Sequence, residues 1–217
     1  MLSTMGAAKR IYKNTLYLGV AEVVSKVLQF IVMLYAARLL SPNHFGKFSF
    51  AISLSLIAVI FSDIGINTLL IREISRQRKL ASKYFMNAFV VKSVLSVFTF
   101  LLIVVLLNLM NYPVETRGIV YVIWIFTILS TFTELFYSLF RAFEKMYFDA
   151  FLKILRMVIL TLLGLYVLFN GLGIFAFVYT FVITEVIVLV VASMLAVKNF
   201  IKPKFEVSVD FIKELIR

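Results

Sequence analysis

Six apolar stretches alternate with short polar segments along the chain, at 16–40, 48–71, 85–110, 118–140, 146–169 and 172–197. Each is 23 to 26 residues long, enough for the roughly 20 residues that carry an α-helix across a bilayer core. The pattern predicts an all-α integral membrane protein, a six-transmembrane-helix bundle occupying residues 1–204. Pro42, Pro113 and Pro203 fall at predicted span ends, where they stop a helix without interrupting one. The spans are therefore expected to be largely continuous, without the broken half-helices that coordinate ions in several transporter folds. Residues 205–217 alternate apolar with charged positions and read as an amphipathic lead-in to another element, so the end at Arg217 is expected to be an interruption.

Polar residues inside the spans are the next layer of information. Glu22, Ser25, Lys26 and Gln29 lie within about 100° of arc on span one. On span four, Thr127, Ser130, Thr131, Glu134, Tyr137, Ser138 and Arg141 lie within about 120°. The other spans add Ser55, Ser62, Asp63 and Asn67; Lys92, Ser96 and Thr99; Lys153, Arg156 and Thr161; and Thr180, Thr184 and Glu185. An ionised residue at a helix centre costs about 2.5–3.5 kcal/mol on insertion scales, so these groups are expected to face one another or a water-filled cavity. At 1.5 Å per residue, Glu22, Asp63, Lys92 and Glu134 lie roughly 9 to 14 Å from one end of their helices, with Lys26 and Glu185 near mid-depth. A shared chamber is the expectation. The competing reading is local neutralisation, such as Glu22 with Lys26 at i,i+4. Ser49 with Ser53 and Ala51 with Ser55 read as close-packing contacts between helices.

Composition agrees with the pattern. The hydrophobic share is 63%, well above the roughly 45–50% of ordinary globular domains. The net charge of +11 does not indicate nucleic acid, because Lys and Arg fall mostly in short segments between spans, where lipid headgroups are the expected counter-charge. Lys9, Arg10 and Lys13 resemble a signal-peptide n-region, but the apolar run behind them is too long to be cleaved and reads as an uncleaved first span. Fifteen basic residues lie before span one, between spans two and three, between four and five, and after six; only Arg38, Lys47 and Arg117 lie on the other side. The positive-inside rule then places both termini in the cytoplasm.

The chain has no Cys and one His, His44, which reads as a surface residue in the turn between spans one and two. No thiolate or imidazole metal site can be assembled from that inventory. Asp63, Asp149 and Asp210 are isolated in sequence, without the paired-acid pattern of metal-dependent glycan enzymes. Neither a phosphate-binding glycine loop nor a serine nucleophile elbow is present. The reading is therefore not an enzyme, with no catalytic residues, metal or cofactor beyond a coupling Na⁺ or H⁺ that the intramembrane acids permit.

Three segments carry a resemblance. Ala36 to Phe48, AARLLSPNHFGKF, is similar to the "ARxLxPxxFGxF" loop after the first span of polysaccharide flippases. Asp63, Gly65, Leu70, Arg72, Glu73 and Arg76 are similar to that family's "DxGhxxxLxRExxR" pattern, and Phe140 to Met146 to its "FRAxEKM" link. The chain thus resembles the polysaccharide biosynthesis exporters of the multidrug/oligosaccharidyl-lipid/polysaccharide superfamily, over their first lobe only. The resemblance implies one lobe of a two-lobed flippase-like fold, working with a second lobe or second copy. It also implies flipping of polyprenyl-diphosphate-linked oligosaccharide across the cytoplasmic membrane, in contact with membrane lipids and glycan-synthesis proteins.

For that substrate, Lys26, Lys92 and Arg156 would attract the diphosphate, and Gln29, Ser130, Thr131 and Ser138 would offer hydrogen bonds. Glu22, Asp63, Glu134 and Glu185 would set charge states or carry the coupling cation. Arg38, Arg72 and Arg141, in the matching motifs, would act as gate or interface arginines near the membrane boundary. Two alternatives are an ion-coupled multidrug-type exporter of the same superfamily and a non-transporting membrane scaffold subunit.

Overall fold

A computed structural model describes residues 2–63 and 65–201. The expected lead-in at 205–217 lies outside the described residues. The elements are α1 (Leu2–Leu39), α2 (Pro42–Asp63), α3 (Ile66–Arg76), a 3-10 turn (Arg78–Leu80), α4 (Ala81–Leu109), α5 (Val114–Ala142), α6 (Met146–Phe169) and α7 (Gly173–Asn199). All the α-helices except α3 are long and apolar enough to cross a membrane, and no strand occurs among the described residues.

Local sequence explains the helix boundaries. Ser41 accepts a hydrogen bond from the His44 amide at 3.3 Å and so caps α2, while Pro42, at the first helical position, needs no amide partner. His44 is thus in the first turn of α2, not in a loop as expected from the sequence. The links after α4, α5 and α6 each contain one residue with positive φ: Asn111 at 51°, Glu144 at 59° and Gly171 at 63°. Such residues close the helices within links of three or four residues and return the chain antiparallel.

The second apolar stretch departs from expectation. Instead of one continuous helix over 48–71, α2 stops at Asp63 and a separate α3 begins at Ile66, with Gly65 between them at φ +76°. A side chain would meet nothing within 4 Å at Gly65, so the requirement there is the left-handed backbone, which glycine adopts without steric penalty. Beyond the break the pattern turns amphipathic. Ile66, Leu70 and Ile74 are buried on the face turned to α5 and α4, and Arg72 and Arg76 are exposed.

Packing does not follow chain order. α1 lies along α6, α5 lies along α7, and α2 lies against α5 and α4, whereas α1 and α2 barely touch. Two apolar cores result. One gathers Phe48, Ile123, Trp124, Leu160, Phe177 and Phe181, with Phe48 set edge-on to Phe177 at 5.3 Å between centroids. The other gathers Ile66, Leu70, Phe85, Phe140, Leu152 and Val188. Between the two cores run Ser55, Lys92, Ser96, Thr131, Thr133, Thr184 and Glu185, all buried, as a polar belt through the lobe.

Candidate functional site

The charged residues within the belt and beside it fall into three networks. The first runs across α1, α6 and α5: Lys26 lies 3.9 Å from Glu22, Glu22 lies 3.5 Å from Lys153, and Lys153 lies 3.8 Å from the buried Asp149. Asp149 in turn accepts a 2.6 Å hydrogen bond from Arg141 Nε. Arg141, expected from its motif at a gate or interface, thus ties α5 to α6 through Asp149.

A second network sits at mid-depth. Arg156 Nη2 donates to Glu185 Oε1 at 2.7 Å, and Thr133 Oγ1 donates to the same oxygen at 2.6 Å. Glu185 Oε2 has no hydrogen-bond partner, nor do Arg156 Nε and the Tyr137 hydroxyl. The Arg156 guanidinium lies 5.8 Å from the Tyr137 ring centroid, within the range of cation–π attraction. Thr133 was invisible in the sequence reading because it lies off the polar stripe of its helix.

The third network explains the α2–α3 break. Lys92, with a side chain 0% exposed, donates to Asp63 Oδ1 at 2.9 Å and Asn67 Oδ1 at 3.3 Å. Asn67 Nδ2 closes the ring onto Asp63 Oδ2 at 3.1 Å. The Lys92 ammonium, expected from the sequence to attract a headgroup, is thus enclosed and engaged by Asp63 and Asn67. Within the lobe the charged groups expected to share a chamber pair off in these three networks. Glu134 stands among them, within electrostatic reach of Lys92 on α4 and of Arg141, Lys153 and Arg156.

A cavity of about 290 Å³ opens beside the second network, bounded by α1, α2, α5, α6 and α7. Its polar lining is Gln29, Ser55, Thr127, Arg156 and Thr184, and its apolar wall includes Met33, Phe126 and Phe181. Ser55 Oγ and Thr184 Oγ1 are buried without partners, as expected where a polar ligand or water completes the hydrogen bonding. Of the predicted headgroup residues, Arg156 and Gln29 line this cavity. Thr131 and Ser138 donate to Ile128 O and Glu134 O of their own helix, at 2.8 and 2.9 Å, so only their acceptor lone pairs remain for a ligand. Ser130 is partly exposed. Lys26 and Glu22 are exposed, with side chains 69% and 54% accessible.

At the opposite end of the lobe, Glu115 of α5 lies 3.2 Å from His44 Nε2 and 2.5 Å from Lys47 Nζ. These contacts tie the start of α2 to the start of α5, a role the sequence reading of His44 missed. Arg38 is exposed, and Arg72 donates to Glu73 at 2.8 Å.

This arrangement of helices defines a membrane protein with the fold of one half of a MATE transporter. It matches a crystal structure of a mutant of VcmN, a MATE transporter from Vibrio cholerae, with a TM-score of 0.75 and 14% identity, covering 100% of this chain and 52% of that one. The chain thus spans about half the length of that transporter. A sequence model of the polysaccharide biosynthesis protein family matches residues 11–217, and the chain belongs to that family. No curated protein matches the sequence.

Proposed function

We propose that the chain is one lobe of a flippase that moves polyprenyl-diphosphate-linked oligosaccharide across the cytoplasmic membrane for polysaccharide export. It acts with a second lobe or a second copy, in contact with membrane lipids and the enzymes that build the glycan, and both termini face the cytoplasm. The observation that supports the reading is the exposed Lys26 and Glu22 pair within the apolar span Tyr12–Leu39 of α1. Charged groups there need a polar counterpart, which a facing lobe and a hydrated passage supply.

In this reading Lys26 draws the diphosphate to the passage, while Arg156 and Gln29 receive it at the cavity. Ser130, Thr131 and Ser138 accept hydrogen bonds from sugar hydroxyls. Glu22, Asp63, Glu134 and Glu185 balance the neighbouring cations or carry the coupling ion, Na⁺ or H⁺. Carrying a diphosphate through hydrocarbon unaided is prohibitive, whereas the polyprenyl tail remains in the bilayer.

The test is complementation of polysaccharide export in a strain lacking the gene, using the complete coding unit. Lys26→Glu and Arg156→Glu should abolish export with protein levels unchanged, and full export by both would remove the reading. A second reading, an ion-coupled exporter of amphiphilic drugs, draws on the apolar and aromatic cavity wall of Met33, Phe126 and Phe181. It requires drug efflux that Phe126→Ala weakens and glycan export that no variant alters.

A further inference from the structure

The two long helices beside α3 overrun the bilayer core. α4 and α5 have 29 residues each, about 43 Å at 1.5 Å per residue against a hydrocarbon core of roughly 30 Å. α2, with 22 residues, is about 33 Å long and ends where that core has been spanned. Glu115 ties the start of α5 to the start of α2 through His44 and Lys47, so the excess of α5 falls at the α3 end. α3 follows that excess. Asn67 accepts a bond from Lys92 of α4 at 3.3 Å, and Ser75, two turns further on, donates to the carbonyl of Ala142, the last residue of α5, at 3.4 Å. α3, the first turns of α4 and the last turns of α5 thus stand in the headgroup layer, which widens a bilayer to about 40–45 Å.

Residues 72–83 hold five cations, Arg72, Arg76, Arg78, Lys79 and Lys83, and one acid, Glu73. Arg72 and Arg76 are one turn apart, on the side of α3 away from the buried Ile66, Leu70 and Ile74, with side chains 64% and 70% exposed. Both rely on a single Glu73 oxygen, 2.8 Å from Arg72 Nε and 3.9 Å from Arg76 Nη1. Arg78 is engaged separately, by Glu144 at 3.4 Å and over the Phe143 ring at 5.6 Å. Lys79 is exposed and Lys83 partly so, and neither meets an acid among the described residues. Four cations therefore share one carboxylate.

We propose that this face of α3 and the turn after it form a docking surface for anionic phospholipid, whose phosphodiesters are received by Arg72, Arg76, Lys79 and Lys83. A negative headgroup lies at the depth these side chains occupy, and basic residues close to an anionic leaflet are attracted to it within a Debye length. The guanidinium forks of Arg72 and Arg76 match phosphate oxygens in geometry as well as charge. A soluble acidic protein would have to displace the headgroups to reach the same groups. Bound lipid supplies the counter-charge that Glu73 alone does not, and it holds α3 against α4 and α5, so the firmness of the α2–α3 joint follows the anionic content of the membrane. The docking surface depends on charge and depth within the lobe and not on the cargo, and so goes beyond the flippase reading.

Native mass spectrometry of the full protein, released from micelles holding equal phosphatidylglycerol and phosphatidylethanolamine, reads the lipid it retains. The wild-type chain should keep phosphatidylglycerol in preference, and Arg72→Gln with Arg76→Gln should lower that preference roughly thirtyfold, about fivefold per cation. Lys13→Gln with Lys198→Gln, which removes two cations from the same end of the lobe, should change it less than about twofold, because neither belongs to the α3 face. Equal retention of the two lipids by the wild-type chain, or equal losses in the two double variants, overturns the proposal. A variant that fails to fold does not hide the answer, because a photoreactive phosphatidylglycerol should leave its adducts on the wild-type chain within residues 72–83; adducts confined to other segments overturn it. Displacement of that lipid by stoichiometric polyprenyl diphosphate would assign the face to the cargo and likewise overturns it.

Discussion

The Lys92 ammonium bridges Asp63, the last residue of α2, and Asn67, in the first turn of α3, at 2.9 and 3.3 Å. One α4 side chain thereby holds the joint at which the second apolar stretch breaks. Removing either partner should have unequal effects, because Lys92 is fully enclosed and Asp63 is 37% exposed.

Asp63→Asn strands a buried ammonium and should destabilise the protein by roughly 3 kcal/mol. Lys92→Met leaves a partly exposed carboxylate and should cost about 1–2 kcal/mol. The double variant should recover most of the larger loss. Denaturation of the three variants in lipid nanodiscs measures this, and additive losses would show that the two residues act separately.

Gly65 sits at φ +76° between the two helices. Gly65→Ala should destabilise by about 1–2 kcal/mol, the penalty for a left-handed L-residue, with Gly65→Asn milder. Equal melting temperatures for the wild-type protein and both variants would remove the backbone argument.

The contact of Glu115 with His44 and Lys47 is solvent-accessible, with the carboxylate side chain 39% exposed. Glu115→Gln should lower the melting temperature at low salt, and the difference should shrink as salt screens the pair. A difference that persists unchanged at high salt would assign the contact a packing role instead.

Because the chain contains no cysteine, single substitutions report topology directly. With both termini in the cytoplasm, Asn170→Cys should react with a membrane-impermeant maleimide in intact cells, whereas Lys79→Cys should react only after permeabilisation. The opposite pattern would invert the proposed orientation.

The six spans were legible because lipid imposes a length and a composition that few other constraints imitate. The break at Gly65 was not, since Phe48 to Ile71 stays mostly apolar through it, and Asp63 with Gly65 matches a family motif without any other helix-stop signal. The polar belt could be foreseen in its members but not in its pairings. Lys92 and Arg156 look equivalent as intramembrane cations, and only the packing of α4 on α2, and of α6 on α7, gives each its own acid. Asp149 carried a local clue in Lys153 four residues on, whereas its bond to Arg141 depends on how α6 turns back on α5.

The preference of α1 for α6 over α2 bears on how the lobe is made. Glu22 and Lys153 are 131 positions apart, so the first helix enters the bilayer long before its companion leaves the ribosome. During that wait Lys26, one turn away, is the nearest counter-charge for Glu22. The i,i+4 pair would thus shelter the nascent helix, and the arrival of α6 would let Glu22 bind a second cation and fix the first helix in place.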